Sequence, residues 1–299
     1  IAYITINRPE AMNALNETVV AQLAQRFDEA EKSPDVKAIV FQGAGKAFVA
    51  GADIKFFVDK IKADKIADIA DFTRKGHEAL LKIENSDKLT IALLDGLSLG
   101  GGSELAMACQ AIIATPAGSM GFPETAIGIF PGLGGMPRMA RFAGAELAKY
   151  YVFTGIPLNA ADAHELGIIK RLVEPAETEN AIGQLVSEGK PDKYRPAELS
   201  EKFAMLAQVC SSENVARLLA GKLPEGVPDE IAAKTAKIIG YKAPLALKLA
   251  NEIIDQQAGK SMSEAVEIEL GRLTEIFSTA DALEGLSSMG RKKPEYKGV

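Results

Sequence analysis

The 299-residue chain has no tryptophan, two histidines and two cysteines, and each scarcity closes off a class of chemistry. His77 and His164 occur without any CxxC or HExxH pattern, so neither a structural zinc cluster nor a metalloprotease helix can be built from neighbouring ligands. No metal site is expected. Cys109 and Cys210 permit at most one disulfide, too few for a disulfide framework, and a reducing, cytoplasmic setting is expected instead. No apolar run reaches the roughly 18–20 residues of a spanning helix, so no membrane partner is expected. Lys and Arg number 34 against 40 Asp and Glu, a net charge of −6, which leaves no broad cationic face for nucleic acid. An anionic ligand has to be met by a local patch.

What is present describes an ordinary globular chain: 47% hydrophobic and 25% charged, long enough for a large core. Ile1–Ile6 alternates and ends at Asn7-Arg8-Pro9, a strand signature. Asn16 is placed to cap a helix whose apolar positions Val19, Val20, Leu23 and Phe27 keep helical spacing. Lys37–Gln42 reads as a buried strand that breaks into a glycine-rich loop, Gly43–Asp53. Residues about 66–86 carry the apolar spacing of an amphipathic helix, and Thr90–Leu94 and Ala111–Ala114 read as further strands. Short apolar strands alternating with helices predict an α/β core with mainly parallel pairing. Strand-like runs stop near Ala176, which predicts a core over 1–176 and a helical region over 177–299. The opening IAYITINRP has neither Met nor a basic leader, as expected of a piece of a longer polypeptide.

Two glutamates stand out. Glu104 lies in Leu94–Cys109 (LDGLSLGGGSELAMAC) and Glu124 in Gly121–Gly135 (GFPETAIGIFPGLGG). A carboxyl among Leu, Ala, Met and Gly loses hydration, which raises its pKa, and two such groups can share general acid and general base work. The triglycine Gly100–Gly102 precedes a helix that holds Glu104. It either lets backbone N–H groups approach a developing oxyanion or serves close strand–helix packing. The segment Ala47–Lys55 (AFVAGADIK) offers the Ala52 N–H and the Lys55 cation to a ligand; equally, it is a plain loop capped by Asp53. A competing motif overlaps the first: Gly96-Leu97-Ser98-Leu99-Gly100 matches the G-x-S-x-G elbow of serine hydrolases. Its triad would need His164, which lies with Asp162 on a helix where positions two apart diverge.

Four segments in order, NRPEAMNALN (Asn7–Asn16), GKAFVAGADIK (Gly45–Lys55), LDGLSLGGGSELAMAC and GFPETAIGIFPGLGGMPR, resemble the crotonase superfamily and within it the enoyl-CoA hydratases. The resemblance implies a spiral core of ββα turns, C-terminal helices that form a trimer or a dimer of trimers, and an acyl-CoA thioester as substrate. No separate cofactor is implied, because coenzyme A belongs to the substrate. Carried over by position, the Ala52 and Gly101 N–H groups form an oxyanion hole, and Glu104 and Glu124 are the catalytic pair. Ala50, Ala52, Asp53, Ile54 and Lys55 contact CoA, and Gly132 lies beside the acyl group. Possession of both glutamates favours a hydratase over the isomerases and CoA hydrolases of the superfamily, and over binding proteins built on its scaffold. Residues about 177–240 exceed the usual connection and read as an insertion. Fused relatives in which a 3-hydroxyacyl-CoA dehydrogenase precedes the hydratase match the Met-less opening.

Overall fold

The computed structural model describes residues 1–194 and 198–299; positions 195–197 of the expected insertion lie outside the described residues. The chain forms two compact units from alternating segments. The first comprises Ile1–Asp53, Phe72–Gly121 and Pro157–Ala197; the second comprises Ile54–Asp71, Phe122–Ile156 and Glu198–Val299.

Every strand among the described residues belongs to the first unit: β1 (Ala2–Ile6), β2 (Ala38–Gly43), β3 (Ala47–Ala50), β4 (Leu89–Leu94), β5 (Leu97–Leu99), β6 (Ala111–Ala114), β7 (Ser119–Gly121), β8 (Leu158–Asn159) and β9 (Arg171–Leu172). They make two sheets, in the orders β1-β2-β4-β6-β9 and β3-β5-β7-β8. All pairs are parallel except β7 with β8. Consecutive strands divide between the sheets. From each of the pairs β2–β3, β4–β5 and β6–β7, the first strand enters the five-stranded sheet and the second the four-stranded one. The expected ββα repeat is therefore present.

The corners between paired strands are too tight for a side chain. A methyl group on Gly96 would lie 2.3 Å from the carbonyl oxygen of Lys46 in the preceding corner, and Gly96 also has a φ of +131°, a conformation that glycine adopts freely. At Gly118 the same methyl would meet Leu94 O at 2.7 Å.

Strand alternation decides what covers the five-stranded sheet. Ala38, Val40, Leu89, Ile91, Ala111 and Ile113 pack with Ala181, Ile182 and Leu185 of the helix Thr178–Glu188. On β2 the intervening Phe41 stacks on Phe27 of the helix Glu17–Lys32, with centroids 6.4 Å apart. That helix begins where the sequence places it, with the Asn16 side chain accepting from Val19 N at 2.9 Å. The helix expected at about 66–86 runs from Ile66 to Glu84.

One expectation is corrected: Ala47–Ala50, read as part of a loop, is a strand; Ile54–Lys62 beyond it is a helix. The burst AFVA is too short to show the alternation that identifies longer strands. Beyond Leu172 the described residues form helices only, as expected. Within the 177–240 segment, Thr178–Glu188 belongs to the first unit, while Glu201–Val209, Ser212–Leu219 and Asp229–Ile239 belong to the second.

In the second unit the helix Ala145–Thr154 is packed by Glu201–Val209, Asp229–Ile239 and Pro244–Gln257. The helix Met262–Phe277 starts in a reciprocal Ser261–Glu264 capping box, which satisfies two otherwise orphaned donors. Its Glu269, fully buried, accepts from Gly134 N at 2.8 Å and from the Gln257 side chain at 3.1 Å. Among the described residues no helix is long and apolar enough to cross a membrane.

The closest approach in the first unit sets a test. A methyl on Gly102 would lie 2.0 Å from Val49 O, so Gly102→Ala must push the helix bearing Glu104 off β3. Overpacking of this kind costs about 1–3 kcal/mol; the expected outcome is a lowered thermal midpoint in calorimetry, with secondary structure retained by circular dichroism.

Candidate active site

The parallel register of β3 and β5 pairs Ala50 with Leu99, so the two chains leave the sheet in step. Two residues further on lie Ala52 and Gly101. Between these residues and the ladder stand Gly51, with φ +85°, and Gly100, with φ +47°, so each chain turns as it leaves the sheet. Ala52 bridges Leu15 in parallel fashion: Leu15 N donates to Gly51 O at 2.9 Å and Asp53 N to Leu15 O at 2.8 Å. Because the ladder uses groups on either side of Ala52, the Ala52 N–H is directed away from Leu15.

Gly101 is the first residue of the helix Gly101–Ala108, where an N–H has no acceptor inside its own helix. Among the described residues, no backbone carbonyl accepts from either N–H. The two expected donors each lie two residues beyond the paired ends of neighbouring strands.

Local bonds explain why this helix starts where it does. Gly100 turns the chain with φ 47° and ψ −119°, and its N–H donates to Gly121 O at 2.9 Å. The Ser103 hydroxyl donates to Ser98 O at 2.9 Å and accepts from Gly121 N at 3.0 Å. One buried side chain therefore joins the middle of β5 and the end of β7 to the helix. Sequence reasoning passed over Ser103; its position in the first turn after the triglycine is the signal that marks it.

Glu104 lies one residue further on. It is 1% exposed, and the helix residues that follow it, Leu105, Ala106 and Met107, are each fully buried. The expectation of a dehydrated carboxyl holds, and the first helical turn offers it favourable dipole and N–H groups. Asn13 and Arg8 were likewise missed. Arg8 donates to Ala14 O at 2.7 Å and faces the Asp53 carboxylate at 3.4 Å. Asn13, fully buried with φ +61°, accepts from Arg8 N and donates to Ala44 O and Ala47 O. These bonds pin the turn that leads into β3, Ala50 and the Ala52 loop.

The remaining expected residues belong to the second unit. Ile54 opens the helix Ile54–Lys62, and Lys55 forms an exposed ion pair with Asp59 at 2.5 Å, one turn along. Glu124, 8% exposed, is the first residue of the 3₁₀ turn Glu124–Ile127. Thr125 holds that turn by donating from its hydroxyl to Val152 O at 3.0 Å and by accepting from Ala243 N at 3.0 Å. Gly132 is partly exposed in the segment leading to the helix Gly135–Ala143.

The hydrolase elbow is not formed. Ser98 is the middle residue of β5 and wholly buried, whereas a nucleophile elbow holds its serine exposed on a strained strand-to-helix turn. Its Oγ has no hydrogen-bond partner among the described residues. His164 lies on the helix Ala160–Glu165, with Nδ1 2.8 Å from Ile169 O. Cys109 and Cys210 are both buried and free; burial pushes the Cys210 thiol up to about 12.

Comparison with known proteins places this geometry. A family model described as enoyl-CoA hydratase/isomerase matches residues 1–297. A probable enoyl-CoA hydratase of Rhizobium meliloti is 36% identical over 303 residues, covering 99% of this chain and 94% of its own; that match runs through the 177–240 segment. A short-chain-enoyl-CoA hydratase of Clostridium acetobutylicum is 36% identical over 188 residues, 62% of this chain and 70% of its own. The crystal structure of an enoyl-CoA hydratase from Rhodobacter sphaeroides superposes with a TM-score of 0.83 at 26% identity, covering 99% of this chain and 89% of that one. The ββα strand arrangement and the match along nearly the whole length agree: this chain belongs to the enoyl-CoA hydratase/isomerase family and has the crotonase fold.

Proposed function

We propose that the protein catalyses the reversible addition of water to a 2-enoyl-CoA thioester, giving a 3-hydroxyacyl-CoA. The observation that carries this reading is that Ala52 and Gly101 each follow by two residues the paired ends of β3 and β5, with buried Glu104 in the first turn of the helix that Gly101 opens. A conjugated thioester has an electrophilic Cβ. When water adds there, negative charge moves to the thioester oxygen, where two preorganised donors stabilise an enolate. Such a donor is typically worth ~10²–10³ in rate.

Glu104, as carboxylate, orients the water and takes its proton while the oxygen bonds to Cβ. Glu124 supplies the proton that ends on Cα, and exchange with solvent restores both carboxyls. Ala50, Asp53, Ile54 and Lys55 are proposed to contact CoA, and Gly132 to lie beside the acyl group. An exposed ion pair is worth at most about 1 kcal/mol, so Asp59 does not hold Lys55 against a phosphate. The reaction needs no separate cofactor. A homotrimer or dimer of trimers in the cytoplasm is the proposed working state.

The test is the loss of the enoyl absorbance of crotonyl-CoA. Glu104→Gln and Glu124→Gln are each expected to lower kcat by ~10²–10⁴, the usual worth of a positioned acid or base, with unfolding midpoints near that of the parent. No turnover of crotonyl-CoA or longer enoyl-CoA by folded protein would transfer the reading to isomerase or acyl-CoA hydrolase. Turnover that ignores both substitutions would remove the glutamates from the mechanism.

Ser98→Ala tests the elbow. It is expected to leave crotonyl-CoA turnover intact and to raise stability by about 1 kcal/mol, by deleting a buried hydroxyl that lacks a partner. No fluorophosphonate label should appear on the parent protein.

A further inference from the structure

The turn that carries Glu124 is held from one side by the last residues of the chain. The Tyr296 hydroxyl donates to Ala126 O at 2.6 Å, two residues beyond Glu124. The backbone around Tyr296 is itself fixed: Lys297 N and Gly298 N donate to the two carboxylate oxygens of buried Asp281, at 2.7 and 2.9 Å. Asp281 lies in the helix Ala280–Ser288, which meets the turn backbone to backbone. A methyl on Gly128 would lie 2.3 Å from Asp281 O, and one on Gly285 would lie 2.4 Å from the Ile127 backbone and 2.7 Å from the Tyr296 hydroxyl. The other side of the turn is fixed by the Thr125 bonds to Val152 O and Ala243 N. Burial, and after it Asp281 and Glu284, push the Tyr296 phenol well above its ordinary range. It therefore stays protonated and able to donate at any pH at which the protein works.

We propose that Tyr296 is a positioning residue for Glu124: its hydroxyl, anchored through Asp281, sets the orientation of the 3₁₀ turn and so the reach of the Glu124 carboxyl to the substrate Cα. This rests on the reading of Glu124 as the group that transfers the Cα proton. The other anchors of the turn are main-chain groups or a short threonine. Tyr296 is the long lever among them, and it is the one that can be altered by a single atom. A misplacement of about 1 Å at a reacting group can cost on the order of 10²-fold in rate.

Exchange of the α-hydrogens of butyryl-CoA in deuterated water isolates this step, since a saturated acyl chain cannot be hydrated. The α C–H bond breaks and its electron pair enters the thioester enolate. The proton passes to the Glu124 carboxylate, and a deuteron from solvent returns in its place. Exchange is followed by NMR, with butyryl-CoA binding by calorimetry and thermal unfolding measured alongside, for the parent protein, Glu124→Gln, Tyr296→Phe and Asp281→Asn.

The expected result is near-complete loss in Glu124→Gln and a roughly 10- to 100-fold loss in Tyr296→Phe, with butyryl-CoA affinity unchanged and the midpoint nearly so. Asp281→Asn, which can keep only one of the two N–H contacts as acceptor, is expected to follow in the same direction. Loss in Glu124→Gln with parental exchange in folded Tyr296→Phe overturns the proposal while leaving the hydratase reading standing. Parental exchange in Glu124→Gln overturns the assignment of Glu124 and the clamp with it. Should Tyr296→Phe fail to fold, Asp281→Asn decides by the same criterion.

Discussion

The pairing of Ala50 with Leu99 is the constraint on which the first unit's chemistry depends. Parallel strands paired in register deliver equivalent residues to the same sheet edge, so one hydrogen-bond ladder determines where both chains leave the sheet toward Ala52 and Gly101. Neither donor has a carbonyl partner within the described backbone; Ala52 is partly exposed, but Gly101 is buried, and leaving a buried donor unsatisfied costs about 1–3 kcal/mol. In the proposed reaction a developing oxyanion would repay that cost, and donors already in place would need little reorganisation as charge forms.

Keeping Glu104 dry demands a wall, and the eight-residue helix from Gly101 is buried at every position. An isolated helix of that length would not be stable in water. Here it is tertiary structure that makes the helix: Gly102 against β3, Ser103 tied to β5 and β7, and Leu105 to Ala108 in the core. The helix depends for its existence on the corners of the two sheets. On the second unit, the turn of Glu124 follows the same logic with different parts, since four consecutive residues after the glutamate are each met by another segment.

The reading of the sequence succeeded where a signal is local and repeated. Lys37–Gln42, Thr90–Leu94 and Ala111–Ala114 are runs of apolar residues, and all three are strands. Asn16 caps its helix because a short polar side chain before an apolar period has one obvious use. The two strands that deliver the donors were the harder ones. Ala47–Ala50 vanished into a glycine-rich stretch, and Leu97–Leu99 lay inside a pattern that also spells a hydrolase elbow; only burial of Ser98 separates the two meanings. Arg8, Asn13, Ser103 and Tyr296 act through partners distant in the chain or through main-chain groups, and no spacing rule announces such bonds. The resemblance named the glutamates and the donors, while what holds them became visible only in three dimensions.

The interleaving of the two units carries a consequence for how the polypeptide is made. The chain passes from one unit to the other five times, at residues 53–54, 71–72, 121–122, 156–157 and 197–198. No single cut releases either unit intact. During synthesis the edge strand β9 and the covering helix Thr178–Glu188 emerge after most of the first unit, and the helix Ala280–Ser288 last of all. Domains built from contiguous sequence can fold one after another as they leave the ribosome. This chain must instead hold the face of its five-stranded sheet uncovered until the helix Thr178–Glu188 has emerged, so the sheet is open to aggregation until well past the midpoint of its translation.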